Sequence, residues 1–143
     1  MNASLKTAAD IMTKDVITIS GEATIADARE IMTQKRIRHL PVVSVDGRFL
    51  GVVTQKAMIA DVVRIVDRFG IQDVERQGRK RLITEIVDQD VETIQPHLPL
   101  LEAGRFFELC KHGCLPVVNG GELVGILTSS DFVKLSIRLL EQV

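Results

Sequence analysis

The apolar positions between residues 24 and 32 predict an amphipathic helix. Ile25, Ala28 and Met32 are spaced i, i+3 and i+7, which places them in one stripe on a helical surface. Thr24 precedes this stripe and Asp27 follows it three residues later, a pattern typical of a capping box at a helix N-terminus. We therefore expect a helix that opens at Thr24 and turns one apolar face toward a core.

Two apolar runs after this helix predict a β-hairpin. Residues 40–43 read LPVV and residues 51–54 read GVVT, and between them lies Asp46-Gly47, a dipeptide that favours a tight turn. Neither run alternates between apolar and polar residues, as expected for strands that are covered on both faces. The pattern also predicts a helical lead-in over residues 8–12, a brief strand near residues 16–18, and a final helix from about residue 56 to residue 68.

The second half of the chain repeats this pattern. HLPVV at residues 39–43 returns as CLPVV at residues 114–118, so that Pro41 and Pro116 are 75 positions apart. GVVT returns as GILT 74 positions later, because one residue is lost around the turn, which reads Asn-Gly-Gly in the second copy. The second copy predicts a lead-in over residues 83–87, a strand near residues 91–93, a helix with Pro99 in its first turn and a stripe of Leu100, Ala103 and Phe107, and a final helix over residues 130–141.

Each copy therefore has the order β-α-β-β-α, in about 55 residues, which is too short to bury much core alone. We expect an α/β (α+β) fold in which the two copies pack through their sheets. The predicted division is a first repeat over residues 7–68, a polar connector over 69–81, and a second repeat over 82–137.

Composition limits the functions that this chain can have. The 18 basic and 19 acidic residues balance, and aromatic residues make up 3% with no Trp or Tyr, so nucleic-acid binding is not expected. No apolar run reaches the length of a membrane span or of a signal peptide, which predicts a cytoplasmic protein without membrane contact. Cys110 and Cys114 are expected to be reduced thiols packed as small hydrophobic residues.

Residues 125–131 read GILTSSD, and their polar end is a candidate ligand site. A strand-to-helix junction directs backbone N–H groups to a helix N-terminus, where an anion is stabilised. Thr128 and Ser130 offer hydroxyl groups to a phosphate, and the Asp131 carboxylate can accept hydrogen bonds from two vicinal ribose hydroxyls. The same residues also fit a structural role, because Thr128-x-x-Asp131 matches a capping box and the helix dipole favours an acid in the first turn.

The first copy provides an internal comparison for this junction. Its residues 51–57 read GVVTQKA, so Thr54 is kept while Ala57 stands in place of the acid. The shared residues are therefore expected to serve the fold, and the residues that differ, Ser130 and Asp131, to serve the ligand. Asp61 lies one turn further along the first copy's helix and is expected to point elsewhere.

A tandem β-α-β-β-α repeat with an x-h-P-V-V strand and a G-h-h-T-x-x-D junction resembles a pair of CBS domains, the Bateman module. The resemblance extends from about Thr7 to Leu135. The residues that carry it are 38–43, 51–54, 114–118 and 125–131. It implies pseudo-two-fold symmetry and a regulatory role without enzymatic activity or a required cofactor. It also implies an adenosine-containing ligand (AMP, ADP, ATP or S-adenosylmethionine) in a cleft between the repeats, a disc-shaped homodimer, and an effector protein of unknown identity.

In such pairs the acid of one repeat faces residues of the other, so the resemblance implies that Asp131 acts with the first copy. Arg38 is a candidate phosphate contact because guanidinium binds phosphate bidentately, with a solvated surface charge as the alternative. His39 either pairs with phosphate or senses pH, with a structural hydrogen bond as the alternative. Val16 and Ile17 would supply an apolar slot for adenine. The implied nucleotide-binding residues are Asp131, Thr128, Ser130, Ser129, Arg38, His39, Ile37, Ile17, Val16 and Thr18.

A mirror cleft would lack both the acid and any arginine, and is expected to be empty, weak or adapted to another ligand. Its implied residues are Thr54, Ala57, Val91, Thr93, His112, Gly113 and Cys114.

Three other interpretations compete with nucleotide sensing. A zinc site from Cys110, His112 and Cys114, with His39 or His97, matches no standard ligand spacing, so no metal site is expected. No nucleophile-base arrangement or Walker loop indicates an enzyme. The remaining alternative is a ligand-free CBS scaffold used for dimerisation or protein docking.

Overall fold

The computed structural model describes residues 5–110 and 113–143. They form two compact α/β units: the first-repeat unit, Ile17–Asp90, and the second-repeat unit, which joins the chain up to Val16 with Val91–Val143. No helix in the described ranges is both long and apolar enough to cross a bilayer. In chain order the elements are α1 (Ala8–Ile11), β1 (Ile19–Ser20), α2 (Ile25–Lys35), β2 (His39–Val43), β3 (Phe49–Thr54), α3 (Gln55–Phe69), α4 (Val74–Lys80), α5 (Leu100–Leu109), β4 (Cys114–Asn119), β5 (Glu122–Thr128) and α6 (Ser129–Glu141).

Helix α2 confirms the predicted cap and the predicted apolar stripe. The Asp27 amide donates to Thr24 Oγ1 at 3.1 Å, and the Thr24 amide donates to Asp27 Oδ2 at 3.0 Å. Ile25, Ala28 and Met32 are all buried in the first core. The capping box therefore sets the start of the helix, and the stripe sets the face that packs against the sheet.

Both predicted hairpins are present. Strands β2 and β3 pair antiparallel with His39 opposite Thr54, and β4 and β5 pair antiparallel with Cys114 opposite Thr128. The second turn uses Gly120 and Gly121 at φ 60° and 86°, a backbone that only glycine adopts readily at both positions of a two-residue hairpin loop. Each hairpin ends at the strand-to-helix junction predicted from the repeat.

The brief first strands lie later than predicted. In the first-repeat unit, β1 covers Ile19–Ser20 instead of residues 16–18 and pairs parallel with β2. Ile19 is buried whereas Ile17 is 38% exposed, so the core selects the later residue for pairing. In the second copy the strand expected near residues 91–93 is reduced to a single parallel bridge between Ile94 and Val117.

The lead-in segments are exchanged between the two units. Helix α1 belongs to the second-repeat unit, where the Ala8 amide donates to the Leu98 carbonyl at 2.9 Å. The second lead-in forms a 3₁₀ turn, Ile83–Glu85, in the first-repeat unit, where the Ile83 amide donates to the Ala23 carbonyl at 2.8 Å. Ala8 and Ile83 are fully buried. Each core is therefore completed by a segment that belongs in sequence to the other repeat.

The polar connector over residues 69–81 is folded onto the first-repeat unit. It contains a 3₁₀ turn and α4, and Arg81 at its end binds Asp61 of α3 through Nη1 at 2.9 Å and Nη2 at 2.7 Å. Arg64 adds a third bond to the same carboxylate at 2.6 Å. Hydrogen bonding to Asp61 raises the pKa of Arg81 above its usual value. Asp61 is 1% exposed and therefore has a structural role. Replacing Asp61 by a neutral residue would leave Arg64 and Arg81 without their counter-ion.

Substitution of the glycine that opens each junction should affect the two units unequally. A Cβ on Gly51, whose φ is 154°, would lie 2.4 Å from the Asp88 carbonyl oxygen, and that backbone is fixed by two hydrogen bonds to Val52. We expect Gly51→Ala to lower the free energy of unfolding by roughly 2–4 kcal/mol.

Gly125→Ala is the matched control for this prediction. Its Cβ would lie 2.4 Å from Met12 Sδ, and a methionine side chain can move, so we expect a loss of only about 1 kcal/mol. Urea unfolding of both variants measures the difference. Equal losses would contradict the role assigned to the Asp88 backbone.

Candidate functional site

The GILTSSD segment forms the junction between β5 and α6. The Thr128 amide donates to Asp131 Oδ2 at 2.9 Å, and the Thr128 hydroxyl lies 3.4 Å from the same oxygen. Asp131 is 6% exposed, whereas Ser129 and Ser130 are exposed in the first turn of α6. The predicted capping role of Asp131 is therefore present, next to two hydroxyl groups that solvent can reach.

Thr13 is a partner of Asp131 that the sequence did not indicate. Its hydroxyl donates to Asp131 Oδ1 at 3.0 Å, and its backbone pairs with Ile126 of β5 through two hydrogen bonds of 2.9 and 3.0 Å. The two residues are 118 positions apart, and no spacing rule connects them. The carboxylate is thus held on one oxygen by the helix cap and on the other by the lead-in segment.

Cys114 lies opposite Thr128 at the start of β4. Burial raises the pKa of its thiol to about 12, and the nearby Cys110 and Asp131 act in the same direction. Cys114 therefore stays a neutral thiol at neutral pH, and both cysteines are free. Gly113 precedes it at φ 67°, while His112, which belongs to the same predicted cleft, lies outside the described residues.

The equivalent junction in the first-repeat unit is capped without an acid. The Ala57 amide donates to Thr54 Oγ1 at 3.0 Å. The Gln55 amide donates to the Arg38 carbonyl at 2.8 Å, and His39 pairs with Thr54 across the hairpin. Arg38 and His39 are therefore neighbours of the Thr54–Ala57 junction within one unit.

The remaining candidate residues are divided between the two units. Ile17 and Thr18 precede β1 in the first-repeat unit, whereas Val16 and the exposed Thr93 belong to the second-repeat unit. Ile37 lies between α2 and β2 and lines a cavity beside α3. The grouping of Asp131 with residues of the first repeat stays a prediction.

The described residues limit the chemistry of this site. Among residues 5–110 and 113–143, no three His, Cys, Asp or Glu side chains are placed to hold a metal ion. The Asp131 carboxylate has two oxygens with about four acceptor positions, and its two protein partners, Thr13 and Thr128, do not fill them all. The junction can therefore accept a further hydroxyl donor beside Asp131 and offer donors from Ser129 and Ser130.

Comparison with known proteins accounts for the repeat. Residues 8–64 and 83–138 match the family model described as CBS domain. A CBS domain-containing protein of Dictyostelium discoideum is 29% identical over 134 residues, which cover 93% of this chain and 92% of that protein. Other curated relatives are longer, and the chain spans about a quarter of the length of several of them.

Solved structures show the same similarity. A Vibrio cholerae protein that carries the name acetoin utilization protein (AcuB) superposes with a TM-score of 0.78 at 33% identity, covering 94% of this chain and 93% of that one. A CBS domain pair in complex with 5′-methylthioadenosine and S-adenosyl-L-methionine superposes with a TM-score of 0.71 at 25% identity, covering 92% and 96% of the two chains. The family matches fall on the two halves of the internal repeat, and the chain belongs to the CBS domain family as a tandem pair of CBS repeats.

Proposed function

We propose that the chain senses an adenosine-containing ligand, AMP, ADP, ATP or S-adenosylmethionine, and transmits its binding to a partner protein. Asp131 would accept hydrogen bonds from the ribose hydroxyls, and Thr128, Ser129 and Ser130 would serve the phosphate or the equivalent polar group. The CBS domain pair that binds S-adenosyl-L-methionine and 5′-methylthioadenosine supports this class of ligand.

The observation that carries the proposal is the difference between the two helix caps. In the first repeat the Thr54 hydroxyl caps α3 by accepting from Ala57, and no acid is used. In the second repeat an acid occupies the equivalent position and is positioned from two sides by Thr128 and Thr13. Because the first repeat caps its helix at the equivalent junction without an acid, we infer that capping alone does not account for Asp131.

The contacts from the first repeat are proposed on the family resemblance. Arg38 is exposed and carries a permanent positive charge, which suits a phosphate, and His39 lies next to it. Val16 and Ile17 would supply the apolar slot for adenine, and Thr18 and Ile37 would belong to the same cleft. The cleft built from Thr54, Ala57, Thr93, Gly113 and Cys114 would bind more weakly because it has no acid at the position of Ala57.

Transmission requires the ligand to bind two states of the protein with different affinity. Thr13 is suited to this role because its hydroxyl shares the Asp131 carboxylate with the proposed ribose contact. A ribose hydroxyl that donates to Asp131 would compete with Thr13 for the carboxylate and so weaken the hydrogen bond between Thr13 and Asp131. Thr13 follows the lead-in helix, which packs in the second core through Ala8. The effector that would read this change is not identified.

A ligand-free scaffold is the second candidate function. The observation in its favour is that Asp131 is 6% exposed and that all its hydrogen bonds described above are internal. In that case its carboxylate would only stabilise the start of α6. The two candidates differ in the effect of adenosyl ligands on stability.

The exposed apolar side chains favour self-association, in agreement with the homodimer expected from the family. On the last helix of each repeat, apolar residues stay exposed at equivalent positions, 74 residues apart. Contiguous apolar surface of this kind is typical of protein contacts. The pairs are Ile59 and Val133, Val63 and Ile137, and Val66 and Leu140.

Ligand binding should raise the thermal stability of the protein. At a concentration of 100 times Kd a ligand adds about 2.7 kcal/mol, which for a chain of this size corresponds to roughly 5–10 °C. Differential scanning fluorimetry with AMP, ADP, ATP and S-adenosylmethionine measures the shift. We expect Asp131→Ala to lose it, since the ribose acceptor is gone.

Asp27→Ala is the matched control, because Asp27 has the same capping position in α2. Both variants should lose about 1–2 kcal/mol of stability through the missing cap, but Asp27→Ala should keep the ligand-induced shift. No shift with any of the four ligands, or an undiminished shift in Asp131→Ala, would favour the scaffold.

Self-association should depend on the exposed stripe of α6. Replacing Ile137 by Asp places a charge in the proposed contact, so we expect the dissociation constant of the dimer to rise at least about tenfold. Sedimentation equilibrium measures it. Ser136→Asp introduces the same charge beside the stripe and should have a smaller effect. A wild-type protein that stays monomeric at all concentrations would contradict the homodimer.

A further inference from the structure

A cavity of about 520 Å³ lies between α2 and α3 in the first-repeat unit. This volume is within the range of small-molecule sites. Its apolar wall is formed by both helices and by Ile37, which lies between α2 and β2. The apolar lining residues are Met32, Ile37, Met58, Ile59, Val62 and Val63.

Three arginines line the same cavity: Arg29, Arg36 and Arg38. The other polar lining residues are Thr33 and Gln55, and none of the lining residues is acidic. Arg29 contacts Glu75 at 3.3 Å through Nη1, but its buried Nε has no hydrogen-bond partner among the described residues. A buried donor without an acceptor indicates a place where an anion or water belongs.

Arg36 is held in an unusual backbone conformation. It ends α2 at φ 54° and ψ 45°, a left-handed position that glycine or asparagine usually occupies. It is the one non-glycine residue with positive φ in the described part of the chain. Neither Arg36 nor Arg38 has a side-chain ion pair or hydrogen bond within residues 5–110 and 113–143. The strained residue therefore presents an uncompensated cation at the cavity.

The second repeat does not carry the same set of cations. Its cavity between α5 and α6, of about 410 Å³, is lined by one arginine and one acid, Arg105 and Glu108. In the sequence, 75 positions after Arg29 and Arg38 stand Gly104 and Gly113, and only Arg36 has a basic counterpart. Two of the three positive charges are thus specific to the first repeat.

We propose that this cavity binds a small amphiphile with an anionic head, a carboxylate or a phosphate, and an apolar tail. The guanidinium groups of Arg29 and Arg36 would hold the head through charge-assisted hydrogen bonds. The tail would lie against Met32, Met58 and Val62, where flexible methionines accept varied chain shapes. The cavity shares Ile37 and Arg38 with the contacts proposed for the adenosyl ligand, but its proposed head-group contacts, Arg29 and Arg36, are not among them.

A second copy of the chain is the competing occupant, because Ile59 and Val63 also belong to the exposed stripe of α3. That stripe recurs in the second repeat, whereas the set of three arginines does not. A second copy would account for the apolar surface, but it gives no reason for Arg36 and Arg38, two cations at the cavity without a side-chain ion pair among the described residues. The charge pattern therefore favours the anionic amphiphile.

Titration of the ¹⁵N-labelled protein, followed by NMR, tests this site with four probes below their micelle concentrations: octyl phosphate, octanoate, 1-octanol and inorganic phosphate. We expect saturable shifts confined to residues 29–38 and 55–63 with octyl phosphate or octanoate, and the stronger of the two identifies the head group. Affinity for 1-octanol and for inorganic phosphate should be at least about tenfold weaker, because each lacks one half of the contact.

Arg36→Ala and Arg36→Gly should each weaken binding of the preferred probe at least about tenfold. Glycine relieves the backbone strain at this position, so a stable Arg36→Gly protein that fails to bind excludes unfolding as the cause. Lys35→Ala, which removes a neighbouring exposed cation outside the cavity, should bind normally. Equal affinity for 1-octanol, or unchanged affinity in both Arg36 variants, would overturn the site. A lack of saturable shifts with both octyl phosphate and octanoate would also overturn it. If Val63→Asp then dissociates a dimer seen by sedimentation, a second copy is the occupant of the cavity.

Discussion

The completion of each core by a distant segment is the constraint on which the rest of the structure depends. Ile83 belongs to the core of the first-repeat unit and Ala8 to the core of the second-repeat unit, and both residues are fully buried. The Ile83 segment also brings Asp88 against Val52, and the Ala8 segment brings Thr13 against Ile126. The backbone at both junctions is therefore fixed by the lead-in segments as well as by the hairpins.

Because the two repeats share this framework, their differences are informative about function. Glycine, apolar pair and threonine occur at both junctions, and both caps form. Asp131 occurs at one junction only, and Arg29 and Arg38 line one helix groove only. The first repeat caps its last helix without an acid, and the second has no arginine at the positions equivalent to Arg29 and Arg38. The two proposed binding sites therefore rest on residues that only one repeat carries: Asp131 in the second repeat, and Arg29 and Arg38 in the first.

Much of the fold could be predicted from local signals. The stripe of Ile25, Ala28 and Met32 and the glycines of the turns are short-range features, and the repeat confirmed each of them a second time. The exchanged lead-ins could not be predicted, because periodicity does not tell which core a short amphipathic segment joins. For the same reason the bond from Thr13 to Asp131 was missed. The first strands were misplaced because burial of Ile19, a tertiary effect, outweighed the local pattern.

The exchange of lead-in segments also bears on the order in which the chain is made. The first-repeat unit is one continuous stretch, Ile17–Asp90, and all of its residues are available once Asp90 has left the ribosome. The second-repeat unit is discontinuous, so the segment containing α1 is synthesised first and finds its place only after α6. Until then Ala8 and Ile11 lack the partners with which they pack in the second core. The segment containing α1 therefore waits for its core longer than any segment of the first-repeat unit does.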